Sequence, residues 1–289
     1  MSASETCYAD HAAQTTVEII ENVRLARDTY RVRFACPDIA ARIVPGQFLM
    51  LRLAGCDDPL LGRPFAFYNI LPDAAGRPAI VDVVYLVLGK MTARMSRCVA
   101  GDRLEVWGPL GKGFPIEPTD ELIMVAGGIG QTPFLAVGKE ALGVTRYGSP
   151  AQLTTPIKNV TLLYGARRAE YLAGLDQFAE AGIRVLTSTD DGSAGHHGFV
   201  TDLLKTELAR PAAGTRRIVC CGPEPMMEAV AEIAAHAETP CRVSLESPMA
   251  CGIGICFSCV VKVKQPEGDW DYRRTCVEGP VFDAAQIAW

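Results

Sequence analysis

The feature that most restricts this chain is a run of cysteines near its end: Cys251, Cys256 and Cys259, then sixteen intervening residues and Cys276. Any fold it adopts must bring one tight loop and one distal cysteine to a common point. Thiolates gathered in this way are metal ligands, and C-x4-C-x2-C…C is the spacing of plant-type [2Fe–2S] clusters. Gly252 and Gly254 allow the unusual backbone angles of a wrapping loop, and they bring bare N–H groups toward the sulfurs. A structural zinc site is the rival interpretation. Zinc sites usually pair two C-x2-C knuckles, and this loop has one.

The other seven of the eleven cysteines lack ligand spacing. The first residues, MSASETCYADHAAQ, have neither a basic region nor an apolar core, so no signal peptide and no disulfide framework are expected. The expectation is a cytoplasmic protein with a disordered tail over residues 1–15. The net charge is −5, and no Lys/Arg block marks a nucleic-acid binder. The longest apolar stretch, residues 79–88, contains Asp82 and is far short of the roughly 20 residues that span a bilayer. Neither nucleic acid nor membrane is expected as a partner.

The rhythm of the chain changes twice. Residues 16–117 alternate in short bursts (VEIIENVRLARDTYRVRFA, QFLMLRL, PAIVDVVYLVL, DRLEVWG), which predicts strands of a small antiparallel barrel, with one short helix over residues 92–98. Residues 118–240 alternate buried apolar runs with helical stretches: ELIMVAGG, PFLAVGKEAL, NVTLLYGAR, AEYLAGLDQFAEAG, IRVLTSTDDG, FVTDLLKTEL, RRIVCCGP and EPMMEAVAEIAAHA. That pattern predicts an open parallel sheet with helices on its faces. Residues 241–289 carry the cysteine loop between two strands. The fold class is therefore multidomain β plus α/β: a barrel, a nucleotide-binding domain and a small cluster domain.

Gly127, Gly128 and Gly130, with Thr132 and Pro133, follow a buried strand and open a helix, a place where backbone N–H groups can face a pyrophosphate. An ordinary tight turn would look the same. Two companions strengthen the case. Cys221, Gly222 and Pro223 also follow a strand and precede a helix, and Asp190 and Asp191 end a strand where a carboxylate can accept from ribose hydroxyls. Those carboxylates favour NAD over NADP, while Arg167 and Arg168 count the other way. In the first segment Arg63, Pro64, Phe65 and Ala66 offer a guanidinium for a diphosphate beside an aromatic ring. His196 and His197 are expected as an exposed loop pair, Met226 and Met227 as core, and Glu246 and Glu278 as solvated carboxylates.

These pieces, in this order, resemble the ferredoxin reductase family and, within it, the electron-transfer subunits of NAD-dependent dihydroorotate dehydrogenases. The matching stretches are GPLGKGF, GGIGQTP, LYGAR, CGP, ESPMACGIGICFSCVV and RTCVEGPVF. The resemblance implies FAD held by Arg63, Pro64, Phe65 and Ala66 and near Gly89, Lys90, Met91 and Thr92, NAD on the 127–133 loop, and Cys221 as the catalytic residue near the nicotinamide. It also implies an FMN-bearing catalytic partner in a heterotetramer. Two positions depart from the family's pattern: Ala66 stands where it has serine, and Met91 where it has glycine. The expected activity is transfer of electrons from dihydroorotate oxidised on the partner, through the cluster and FAD, to NAD. The alternatives are a subunit of a related hydrogenase or ferredoxin:NADP transhydrogenase, and a non-catalytic redox-sensing module. Trp289 is expected at the partner interface.

Overall fold

The computed structural model describes residues 12–115, 117–149, 151, 155–212 and 214–289. Seven strands come first: β1 (Ala13–Ala26), β2 (Thr29–Ala35), β3 (Phe48–Leu53), β4 (Arg63–Ala66), β5 (Asn69–Pro72), β6 (Pro78–Leu86) and β7 (Arg103–Leu110). They pair antiparallel in the order β4-β3-β7-β1-β2-β6-β5. Alternation sets the faces: along β2, Val32 and Phe34 are buried while Arg31 and Arg33 lie on the other side. The sheet curls until Phe65 of β4 meets Tyr85 of β6 edge-on, 6.1 Å between ring centroids. Two short helices, α1 (Pro37–Ala40) and α2 (Lys90–Met95), plug the interior with Ile39, Met91 and Met95. The sequence predicts only a helix over 92–98. The helix begins two residues earlier, because the Thr92 hydroxyl accepts from the Leu88 and Gly89 N–H groups and anchors its first turn. The tail expected to be disordered through residue 15 is already in β1 at Ala13, paired with Gly108 of β7; residues 1–11 lie outside the described residues.

The second sheet contains β8 (Glu121–Gly127), β9 (Asn159–Ala166), β10 (Arg184–Thr189), β11 (His196–His197), β12 (Arg216–Cys221) and β13 (Cys241–Ser244). A two-stranded ribbon follows, β14 (Val260–Lys264) with β15 (Trp270–Arg274), and then β16 (Val281–Asp283). The second sheet runs β11-β10-β9-β8-β12-β13-β16, parallel except for β16. β13 and β16 fall in the segment that the sequence suggests as a separate cluster domain, yet both are strands of this sheet. Helices α3 (Phe134–Ala141), α4 (Leu175–Glu180), α5 (Val200–Ala209) and α6 (Glu224–His236) cover its two faces. Leu122 and Met124 of β8 pack with Phe134 and Phe178 on one side, and Ile123 and Val125 with Leu204 and Val230 on the other.

One predicted helix is broken. Residues 169–182 form a 3-10 turn (Ala169–Tyr171) and then α4, separated by Gly174 at φ +72°. A Cβ there would lie 2.5 Å from the Tyr68 hydroxyl, which reaches across from the barrel and donates to Gln177 at 2.7 Å. The contact between the two sheets thus overrides the local helical pattern. Lys139 to Asn69 (2.9 Å) and Arg27 to Glu170 (2.7 Å) fasten the same junction. Trp289, expected at a partner interface, packs half-buried against the core that contains Ile287 and Val263.

Asp82 is fully buried on β6 and accepts two hydrogen bonds from Arg33, at 2.7 and 2.9 Å. Asp82→Ala removes two charge-assisted hydrogen bonds and leaves that guanidinium with Glu21 at 3.5 Å, and should cost about 2 kcal/mol. Arg77→Ala, at an exposed pair, should cost less than about 1 kcal/mol. Urea unfolding of the two variants checks the contrast. Burial pushes the Glu140 carboxyl up to about 7 against the opposing Tyr147 backbone N–H. The unfolded chain gives up that proton near 4.5 and the folded chain keeps it to about 7, so stability falls as pH rises through that window. Glu140→Gln should remove this part of the slope, read as thermal midpoints below and above the window.

Candidate active site and cluster loop

After β8 the chain adds β9, β10 and β11 on one side, then returns to add β12 and β13 on the other. The C-terminal ends of β8 and β12 therefore flank the point where strand order reverses, which is where open sheets of this kind bind ligands. Gly127 and Gly128 stand at one end, Cys221 and Gly222 at the other. Sterics account for most of these glycines. A Cβ on Gly130 would lie 2.2 Å from the Cys221 carbonyl oxygen, one on Gly127 2.5 Å from the Met226 sulfur, and one on Gly222 2.6 Å from the Met226 methyl. Gly128 is different: at φ +55° it has nothing within 4 Å of a Cβ position, so that face of the turn is open. Beside it the Gln131 amide is fully buried and neither of its polar atoms has a partner among the described residues.

The turn faces a cleft of about 540 Å³, within the usual range of roughly 300–1,000 Å³ for small-molecule sites. The cleft brings together Arg63, Pro64, Phe65 and Ala66 from β4, Gly89, Lys90, Met91 and Thr92 from the start of α2, and Thr132, Pro133 and Cys221 from the nucleotide sheet. The Met91 side chain is turned into the barrel core, so it does not bar approach to the backbone of its turn. The Thr92 hydroxyl is occupied by its own turn, and Arg63 donates to the Leu61 and Gly62 carbonyls.

Gly127, Gly128, Gly130, Gly222 and Pro223 lie behind or beside this cleft. Asp190 and Asp191 lie further out on the same edge of the sheet and do not line it. Asp191 accepts from the Ser193 hydroxyl (2.6 Å) and backbone (3.0 Å), bonds that hold its carboxyl below the usual range with a smaller contribution from Arg168 at 3.8 Å.

Among the lining residues not evident as site residues in the sequence are Tyr85, Ser244 and Glu246. No local motif marks Tyr85 and Ser244, which sheet register delivers, and Glu246 opens the ESPMACG stretch without being singled out as a lining residue. Burial pushes the Cys221 thiol well up; the Glu246 carboxylate adds to this and the Ser244 hydroxyl opposes it. Cys221 is therefore a neutral thiol at ordinary pH and not a thiolate nucleophile. Glu246 is open to the cleft on one side and crowded by protein on the other, and burial raises its pKa.

The loop after β13 carries Cys251, Cys256 and Cys259, and Cys276 follows β15. Gly252 (φ +73°) and Gly254 (φ +84°) both take the left-handed backbone expected of them. A Cβ on Gly252 would meet Met50 at 2.7 Å, so the loop lies directly on β3. Trp107 of β7 donates its indole N–H to the Cys251 carbonyl at 3.0 Å. Cys259 and Cys276 are buried with their sulfurs 3.2 Å apart, and the exposed Cys256 thiol is held below its ordinary value by the Ser258 hydroxyl, with Cys251 also contributing. Among the described residues no three His, Cys, Asp or Glu side chains converge on a single ion position. Two thiol pairs, 251 with 256 and 259 with 276, match the needs of a two-iron cluster, which takes two ligands at each iron, better than those of one zinc ion. His196 and His197 are exposed, with His196 3.5 Å from Asp202. No helix among the described residues is long and apolar enough to cross a membrane.

Comparisons with known proteins agree with this arrangement. Residues 16–114 match the model of an oxidoreductase FAD-binding domain, residues 124–232 an oxidoreductase NAD-binding domain, and residues 246–288 the iron–sulfur cluster binding domain of dihydroorotate dehydrogenase B. Among solved structures, one of an NADH-dependent reduced ferredoxin-NADP oxidoreductase superposes with a TM-score of 0.76 at 28% identity, covering 94% of this chain and 90% of that one. The dihydroorotate dehydrogenase B (NAD(+)) electron transfer subunit of Desulforamulus reducens is 36% identical over 92% of this chain and 94% of its own length. That of Geobacillus kaustophilus is 33% identical over 91% and 94%. With its FAD-binding half-barrel, NAD-binding sheet and four-cysteine loop in this order, the chain belongs to the family of dihydroorotate dehydrogenase B (NAD(+)) electron transfer subunits.

Proposed function

We propose that this chain takes electrons from dihydroorotate oxidised on an FMN-bearing catalytic partner and delivers them to NAD+ in pyrimidine biosynthesis. The observation that carries the reading is the single cleft where β4, the start of α2, the β8 turn and Cys221 meet, with the cysteine loop leaving the same β13 that supplies Ser244 and leads into Glu246. FAD supplies the change from one-electron to two-electron transfer when bound. Arg63 and the open N-terminal turn of α2 would hold its phosphates, Phe65 and Tyr85 would flank its ring, and the Ala66 backbone N–H would serve where the family has a serine hydroxyl. NAD(H) would lie on the open face of Gly128, with the neutral Cys221 thiol against the nicotinamide and Asp190 toward the ribose. Cys251, Cys256, Cys259 and Cys276 would hold the [2Fe–2S] cluster. Leu60, Leu61, Ile255 and Phe257 are exposed beside the cysteine loop and would meet the catalytic subunit in a cytoplasmic heterotetramer.

The likeness to the NADH-dependent ferredoxin-NADP oxidoreductase structure favours a second reading, in which a ferredoxin-type donor replaces the dihydroorotate-oxidising partner. Mixing the chain with either donor system and following NADH formation decides between them.

Two outcomes are expected. The purified chain should reduce ferricyanide with NADH and show no dihydroorotate oxidation until the catalytic subunit is added; turnover of dihydroorotate by the chain alone would overturn the division of labour. Gly128→Ala should raise the KM for NADH by about tenfold or more (roughly 1.4 kcal/mol per factor of ten), with only about 1–2 kcal/mol of backbone cost. Gly130→Ala forces a carbon against a backbone carbonyl and should lose stability first, by about 1–3 kcal/mol. Paired KM and denaturation measurements separate the two glycines.

A further inference from the structure

We infer that Arg274 is a positioning residue for the cluster: its guanidinium latches both inter-ligand segments of the cysteine loop, and its charge raises the cluster's reduction potential, with Glu278 as the opposing charge. This rests on the reading of the four cysteines as cluster ligands. Arg274 ends β15, paired with Val260 and two residues before Cys276. Its Nη1 donates to the Gly254 carbonyl at 3.0 Å, between Cys251 and Cys256. The same guanidinium stands over the Phe257 ring, 5.0 Å from its centroid, between Cys256 and Cys259. One side chain therefore ties down both stretches that separate the first three ligands, from a base adjacent to the fourth.

The segments it holds need holding. Phe257 has φ +55°, a conformation that costs a non-glycine residue roughly 1–2 kcal/mol, and its ring is 62% exposed, so burial does not fix it. The Ile253 N–H points to the Cys251 sulfur at 3.4 Å. N–H groups and nearby positive charge both favour the more negative, reduced state of a cluster. The surrounding charges are few. Glu278 lies 3.5 Å from both Arg273 Nε and Arg274 Nε and accepts the Arg274 backbone N–H at 2.7 Å; Asp271 pairs with Arg273. Arg274 is the cation that touches the loop, and Glu278 is its counter-charge.

The test is a dithionite titration of the purified, cluster-loaded chain, with mediators, followed by the EPR signal of the reduced cluster and by iron and sulfide content. Arg274→Gln should lower the midpoint, leaving about tenfold less reduced cluster relative to oxidised at a fixed ambient potential (about 59 mV for one electron). Arg274→Lys should restore most of the loss, and Glu278→Gln, which keeps an acceptor for the loop N–H, should move the midpoint the other way. A full-occupancy Arg274→Gln protein with the parent midpoint overturns the inference. If that variant fails to retain iron, the Glu278→Gln midpoint decides: an upward shift supports the inference, and an unchanged value overturns it. A parent protein lacking iron, sulfide and EPR signal would instead refute the ligand reading itself.

Discussion

Two backbone turns meet at van der Waals distance where β8 and β12 end, and most of the site follows from that contact. No Cβ fits between Gly130 and the Cys221 carbonyl, and none fits on Gly127 or Gly222 beside Met226. Close approach at this point lets β8 and β12 pair in register to their last residues, Ala126 opposite Cys221. It also places β13 beside β12 and so aims the residues after Ser244 at the cleft. Had the turns been held apart by a single methyl group, Cys221, Glu246 and the start of the cysteine loop would lose their common edge.

What the sequence made legible was local in origin. The cysteine spacing, the glycine turns and the burst-like alternation of the barrel strands are patterns a few residues long, and each appears in the structure. What it concealed is set by contacts distant along the chain. The helix over 169–182 looks continuous until Tyr68, a hundred residues earlier, is placed against Gly174. Ser244 joins the cleft through the register of β13 with β12, and Tyr85 through the curl that carries it to Phe65. Glu278 is the exception: the two arginines that share it lie only five and four residues before it, so its pairing is local. The segment 241–289 looks separate because its cysteines dominate its composition, while β13 and β16 are too short to register as part of a larger sheet.

The two departures from the family's pattern have different weight. Met91 is absorbed by the barrel core and leaves the backbone of its turn accessible. Ala66 is not compensated on its own strand: it lines the cleft with no hydroxyl, although Ser244 and Glu246 line the same cleft. Arg168 and Asp191 also offset each other, so one of the two carboxylates after β10 already has a cation beside it.

The cysteine loop is inserted between two strands of the nucleotide sheet and is pinned to the barrel by Trp107, which gives it an unusual thermodynamic position. The ends of the loop are β13 and the segment leading to β16, both strands of the sheet that carries the nucleotide turn, so any coupling between loading the loop and binding at that turn would act equally in both directions, each altering the affinity of the other by the same factor.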